Sequence, residues 1–165
     1  MIIFLMCFII LHSFICQSEL EPIQERATIT SYDPKYVVNP QAFTGRVKRG
    51  EPYRSNISMT TLHPWGNNVT MTIVYASKRT GNDVLFQMKV CDVYRHRWLE
   101  DFVLKYFGMR KTCPFPAGTY RVINLEIPPK NYPFPLPKGE ALLYWTLTLT
   151  ETKHVIFKVS IKIKI

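Results

Sequence analysis

Glycine is scarce in this chain, seven among 165 residues, and none of the seven belongs to a loop of the kind that cradles phosphate. Neither G-x-S-x-G nor H-E-x-x-H occurs. Past the N-terminal stretch the histidines are His63, His96 and His154, which fall in different segments without the spacing of metal ligands. Carboxylate pairs for acid–base work must converge in a cleft, and Glu100 and Asp101 are merely neighbours on the outer side of a helical stretch. These absences predict a protein that is not an enzyme and uses no metal or cofactor.

Charge is missing from the first residues as well. The run MIIFLMCFIILHSFICQSEL is apolar to Cys16 and holds no charged residue before Glu19. A spanning helix needs about 20 apolar residues, so this shorter run with its small and polar ending reads as a secretory signal over residues 1–18, cut after Ser18 or alternatively after Cys16; the lack of Lys or Arg ahead of the run leaves an uncleaved anchor as the other reading. Its removal takes away Cys7 and Cys16 and leaves one pair, Cys91 and Cys113. An even pair in an exported chain predicts one disulfide, worth roughly 3 kcal/mol in the loop-entropy model. Residues 19–165 are long enough for one domain with a sizeable core.

Acidic residues are few, 12 against 21 Lys and Arg, and the net charge of +9 lies wholly beyond the signal. Export argues against nucleic acid as the partner of this charge. An anionic membrane surface or an acidic receptor fits the compartment better, beside a basic surface with no dedicated partner.

Residues 84–120 carry the plainest organisation. Val84, Phe86, Met88 and Val90 alternate with Leu85, Gln87 and Lys89 up to Cys91, the period of a strand with at least one buried face. Leu99, Phe102, Val103, Tyr106 and Phe107 then recur at helical spacing, and Gly108 suits a left-handed cap. Before this, residues 28–32 and 36–38 suggest short strands broken at Asp33-Pro34 and Asn39-Pro40, with residues 41–47 a better one. Arg46-Val47-Lys48-Arg49 before Gly50 has the spacing that a secretory-pathway convertase cuts. It is read as an ordinary basic strand end, because a cut there would detach what looks like the first strand.

Strands are also predicted at residues 57–62 and 69–75, the second forming a hairpin with residues 84–90. Asn56-Ile57-Ser58 and Asn68-Val69-Thr70 are acceptors for N-glycans, which places Asn56 and Asn68 at the surface of an exported chain. Residues 119–127 alternate as a strand, and the proline-rich residues 128–139 read as an extended crossing between sheets. In the last hairpin Leu143, Trp145, Leu147 and Leu149 share one face. Val155, Phe157, Val159, Ile161, Ile163 and Ile165 alternate there with His154, Ile156 and the outward lysines.

Short strands between turn signals, with one short helix, predict an all-β chain: an antiparallel β-sandwich. Val90-Cys91-Asp92-Val93, the amphipathic segment after it, Cys113-Pro114-Phe115-Pro116-Ala117-Gly118-Thr119-Tyr120 with Asn124 beyond, and Leu136-Pro137-Lys138-Gly139 resemble an insect family of small secreted proteins. That family includes the chemosensory CheA and CheB proteins and is related to the ML, ganglioside-activator-like, lipid-recognition superfamily. The resemblance spans roughly residues 30–165 and implies an immunoglobulin-like, ML-like sandwich splayed around an apolar cavity.

Two functions follow. One is a secreted binder or carrier of a lipid or other apolar small molecule, with a role in chemosensation implied by the resemblance. The other is a protein-binding or structural sandwich filled by its own side chains. Strand parity proposes Phe86, Met88, Trp145, Leu147, Phe157, Val159 and Ile161 as pocket wall, and Leu99, Phe102, Phe107, Tyr132 and Phe134 as its mouth, with Lys105, Arg110 and Lys111 near an anionic head group.

Overall fold

The computed structural model describes residues 22–108, 111–129, 132 and 136–165. Eight strands occur among them: β1 (Ile23–Tyr32), β2 (Val37–Gly45), β3 (Arg54–Thr61), β4 (Val69–Ser77), β5 (Gly81–Lys89), β6 (Gly118–Leu125), β7 (Glu140–Leu149) and β8 (Val155–Lys164). One α-helix, α1 (Arg97–Phe107), follows a 3₁₀ turn at Val90–Arg95. The strands form two antiparallel sheets, a five-stranded one in the order β1-β8-β7-β4-β5 and a three-stranded one in the order β2-β3-β6. The all-β expectation with a single short helix therefore holds, and the inner faces of the two sheets bury one apolar cluster that includes Ile57, Met59, Val122, Leu147, Phe157 and Val159.

Local chemistry accounts for the helix and its exit. Leu99, Val103 and Tyr106 are its buried stripe, and Gly108 closes it at φ 59° in the left-handed region, where a Cβ would be strained. Ahead of it, Val90 and Val93 are buried in the 3₁₀ turn, so the strand period stops at Lys89 because the chain curls under the sheet. Cys91 and Cys113 are bonded, with Cα atoms 5.7 Å apart, and tie this turn to the segment leading into β6. Beside the bond, Trp65 and Phe115 exchange backbone hydrogen bonds of 2.8 and 2.7 Å.

Four sequence expectations need correction. Asn39-Pro40 does not end a strand: β2 runs through it as a bulge between Val38 and Gln41, with Asn39 at φ 51°. Because β2 is an edge of its sheet, the N–H that Pro40 lacks leaves no central ladder unpaired. Residues 46–49 are not a strand end either, since β2 stops at Gly45. In β5, pairing skips from Phe86–Ile73 to Val84–Val74, so Leu85 is bulged, Leu85 and Phe86 are both half-buried, and Val84 is 61% exposed. In β8, pairing skips from Phe157–Leu147 to Val155–Thr148, which buries Ile156 fully and leaves Val155 38% exposed. A one-residue irregularity reverses the face of every side chain beyond it. The lysines of β8 border a face rather than an edge, because β8 lies between β1 and β7.

The proline-rich crossing leads from β6 in the small sheet to β7 in the large one. It is pinned by the hydroxyl of Tyr75, a fully buried β4 residue, which donates to the Pro137 carbonyl at 2.8 Å.

Candidate functional site: an apolar cavity under the helix

Cross-strand register sets one wall of the cavity. Ile73 on β4 pairs with Phe86 on β5 and with Trp145 on β7, so the three stand in a row across the five-stranded sheet. Met71, Leu143 and Ile161 flank the row. The opposite wall is α1, which contributes Trp98, Leu99, Phe102, Val103 and Phe107. Leu125, Ile127, Pro128, Pro129, Tyr132 and Leu136, from the end of β6 and the crossing, close the remaining side.

The rings interlock rather than stack. Trp98 meets Phe86 edge-on with centroids 5.6 Å apart and Tyr132 edge-on at 5.9 Å, while Phe107 meets Trp145 edge-on at 5.4 Å and Phe102 at 6.3 Å. Edge-to-face pairs of this kind set the positive ring edge against a negative face. Burial in these surroundings pushes the Tyr132 hydroxyl up to about 12, so it is neutral throughout the physiological range. The indole Nε1 of Trp145 is buried with no hydrogen-bond partner among the described residues.

A second, smaller chamber adjoins the first. Met71, Val103, Phe107 and Trp145 line both, and behind them lie Met59, Trp65, Val90, Val93, Phe115, Tyr120 and Leu147. The main cavity encloses about 90 Å3, or about 740 Å3 when interstices and the open mouth are counted, and the inner chamber encloses about 50 Å3.

Of the residues that strand parity proposed, Phe86, Leu99, Phe102, Phe107, Tyr132, Trp145 and Ile161 are brought together on the main cavity. Leu147 lines the inner chamber instead. Met88 packs against the core, and Phe157 and Val159 are wholly buried core residues away from both chambers. Phe134 and Arg110 lie outside the described residues, as does the signal at residues 1–18. The other two proposed cations have partners: Lys105 donates to the Tyr106 hydroxyl at 3.0 Å, a bond that raises its pKa, and Lys111 pairs with Glu100 at 2.9 Å.

Trp98 was missed by the sequence reading. Its signal was available, since it stands four residues before Phe102 and extends the helical stripe backwards. Leu85 could not have been found by alternation, because only the bulge in β5 turns it inward.

Elsewhere, His154 and His63 flank the Tyr36 ring at centroid distances of 6.3 and 5.5 Å, and His154 Nε2 lies 2.7 Å from Asp33 Oδ2. No group of three or more metal-ligating side chains occurs among the described residues. No helix among them is long and apolar enough to cross a membrane. Asn56 and Asn68 are both exposed; Asn56 Oδ1 accepts the Asn124 N–H and Asn68 Oδ1 accepts the Gly66 N–H, each at 2.8 Å.

No protein-family model matches the chain, and no curated protein matches it. Among solved structures the chain is similar to chicken MD-1, crystallised in complex with lipid IVa, at 13% identity and a TM-score of 0.42, over 87% of this chain and 96% of that one. A likeness of that size decides neither family nor ligand for this chain, and the insect chemosensory relation is not shown by it.

Proposed function

We propose that the chain is a secreted, non-enzymatic binder of a lipid or other apolar small molecule, held between α1 and the five-stranded sheet. The observation that carries this reading is the main cavity itself: among the described residues its lining from Met71 to Ile161 is apolar or aromatic, with Tyr132 contributing the one hydroxyl side chain. Such a lining favours transfer of hydrocarbon from water by about 25 cal/mol per Å2 buried, without demanding any charge on the ligand. In this reading residues 19–165 form one ML-like domain, the exposed Asn56 and Asn68 carry N-glycans, and chemosensation is the setting that the sequence resemblance suggests.

A second reading has its own observation. The enclosed 90 Å3 is well short of the roughly 300–1,000 Å3 of ordinary ligand pockets, so a sandwich filled by its own rings and presented to a protein partner also fits. The two differ in whether the helix lifts. Native mass spectrometry of protein secreted by insect cells, beside titration with a fluorescent fatty-acyl probe, decides between them. Co-purifying lipid or saturable probe uptake supports the binder, whereas empty protein that takes up no probe overturns it in favour of the filled sandwich. Treatment with an amidase that strips N-glycans lowers the mass of the same sample if Asn56 and Asn68 are modified.

A further inference from the structure

The connection between β2 and β3 holds Arg46-Val47-Lys48-Arg49 directly before Gly50. Every residue from 46 to 53 is exposed, Val47 to 78%, and Gly50 turns the tip at φ 94° with no atom within 4 Å of where a Cβ would stand. The tip is held lightly: Glu51 N donates to the Lys48 carbonyl at 3.2 Å, and the Arg46 guanidinium lies 5.1 Å from the centroid of the Tyr53 ring. Exposed loop tips of this kind are where chains are nicked.

We infer that the Arg49–Gly50 peptide bond is a maturation site for a serine endoprotease of the secretory pathway whose cleft is lined with carboxylates. The inference rests on the secreted reading above. Three cations within four residues suit an acidic cleft through both its field and direct charge-assisted contacts, and Arg46 exchanges its contact with Tyr53 for one of those. In the reaction the protease serine attacks the Arg49 carbonyl carbon, the C–N bond breaks, and Gly50 leaves as a protonated amine. One water then hydrolyses the acyl-enzyme, frees the Arg49 carboxylate and restores the serine, so the net change is one water added.

Cutting does not detach the first strands, which was the objection from sequence alone. β1 is laddered to β8 from Ile23–Lys164 to Tyr32–Phe157, and β2 to β3 from Val37–Thr61 to Gly45–Arg54, so each strand before the cut is paired to one after it. Ser55 joins the two pieces again, receiving the Gln24 amide and lying 2.6 Å from the Thr44 hydroxyl, while the Ala27 N–H donates to that same hydroxyl at 2.8 Å. The Cys91–Cys113 bond lies entirely in the second piece. The product is a two-chain molecule held without a covalent link.

The test uses purified, folded protein lacking the signal, incubated with a purified convertase of this specificity. Two masses are expected in denaturant without reductant, one ending at Arg49 and one beginning at Gly50, and a single peak of unchanged volume in native gel filtration. Arg46→Ala and Arg49→Ala should each slow the cut at least about tenfold, while limited trypsin still opens the loop of the Arg46→Ala protein. A folded chain left intact under conditions that cut the free peptide of residues 44–53 overturns the site, and pieces that part in native gel filtration overturn the retained two-chain form. N-terminal sequencing of protein released by insect cells separates the two readings: a chain that is not released overturns the secreted reading and the maturation with it, whereas a released chain with no new N-terminus at Gly50 overturns the maturation alone.

Discussion

The ring of Phe107 stands edge-on to the indole of Trp145, centroids 5.4 Å apart and planes at 77°. This contact joins the last turn of α1 to the middle of β7, and both residues line the main cavity and the inner chamber. With Met71 and Val103, which also line both, it stands between the two spaces.

That position makes Phe107 the residue to change first. Phe107→Ala joins the two chambers and removes a partly buried ring, so thermal stability should fall by about 3 kcal/mol, the low end for aromatic truncation. Uptake of a small apolar probe should rise in the same variant. Replacing Phe102 and Phe107 together by polar residues should instead abolish uptake. Probe fluorescence beside thermal unfolding checks both, and equal uptake by all three proteins would remove the cavity from consideration.

The irregularity in β8 makes a prediction opposite to simple alternation. Ile156→Ala should cost about 2–5 kcal/mol because the side chain is fully buried, whereas Val155→Ala should stay within about 0.5 kcal/mol at its exposed position. Urea unfolding of the two variants measures this, and a larger loss at Val155 would show that the strand pairs without the skip.

Asp33 accepts the Lys35 backbone N–H at 2.9 Å and lies beside His154, and these contacts, the backbone bond foremost, lower its pKa below 3.8. A lowered carboxylate pKa stabilises the fold above the unfolded value, and that contribution is lost as pH falls through the lower folded value. Asp33→Asn should thus lower the melting temperature near pH 6, by a deficit that shrinks as pH falls through the lowered folded value and the wild-type carboxyl takes up its proton. A deficit that does not shrink with falling pH would mean that the side chain acts through shape and not charge.

Removal of the disulfide should be felt in secretion more than in shape. Cys91→Ser leaves Cys113 as an odd thiol and takes away a cross-link worth roughly 3 kcal/mol from a fold stable by about 5–15 kcal/mol. Lower yield from insect cells and one new alkylatable thiol are expected. Two free thiols in the wild-type protein would contradict the bond.

Regular alternation made the β7–β8 and β4–β5 hairpins legible in the sequence, since side-chain period and turn residues are local properties of the chain. The helix was legible for the same reason, down to its stop at Gly108. The parity of the cysteines led to their bond, because a count needs no geometry. Tertiary structure decided the rest. Bulges at residues 38–41, in β5 and in β8 depend on which strand lies opposite, so the inward turn of Leu85, the burial of Ile156 and the passage of β2 through Pro40 could not be read from one strand alone. Which of the apolar residues face a cavity and which fill the core was equally beyond the sequence: Trp145 and Val159 are cross-strand partners of the same character, and only the seat of α1 over β4, β5 and β7 leaves space beside the first and none beside the second.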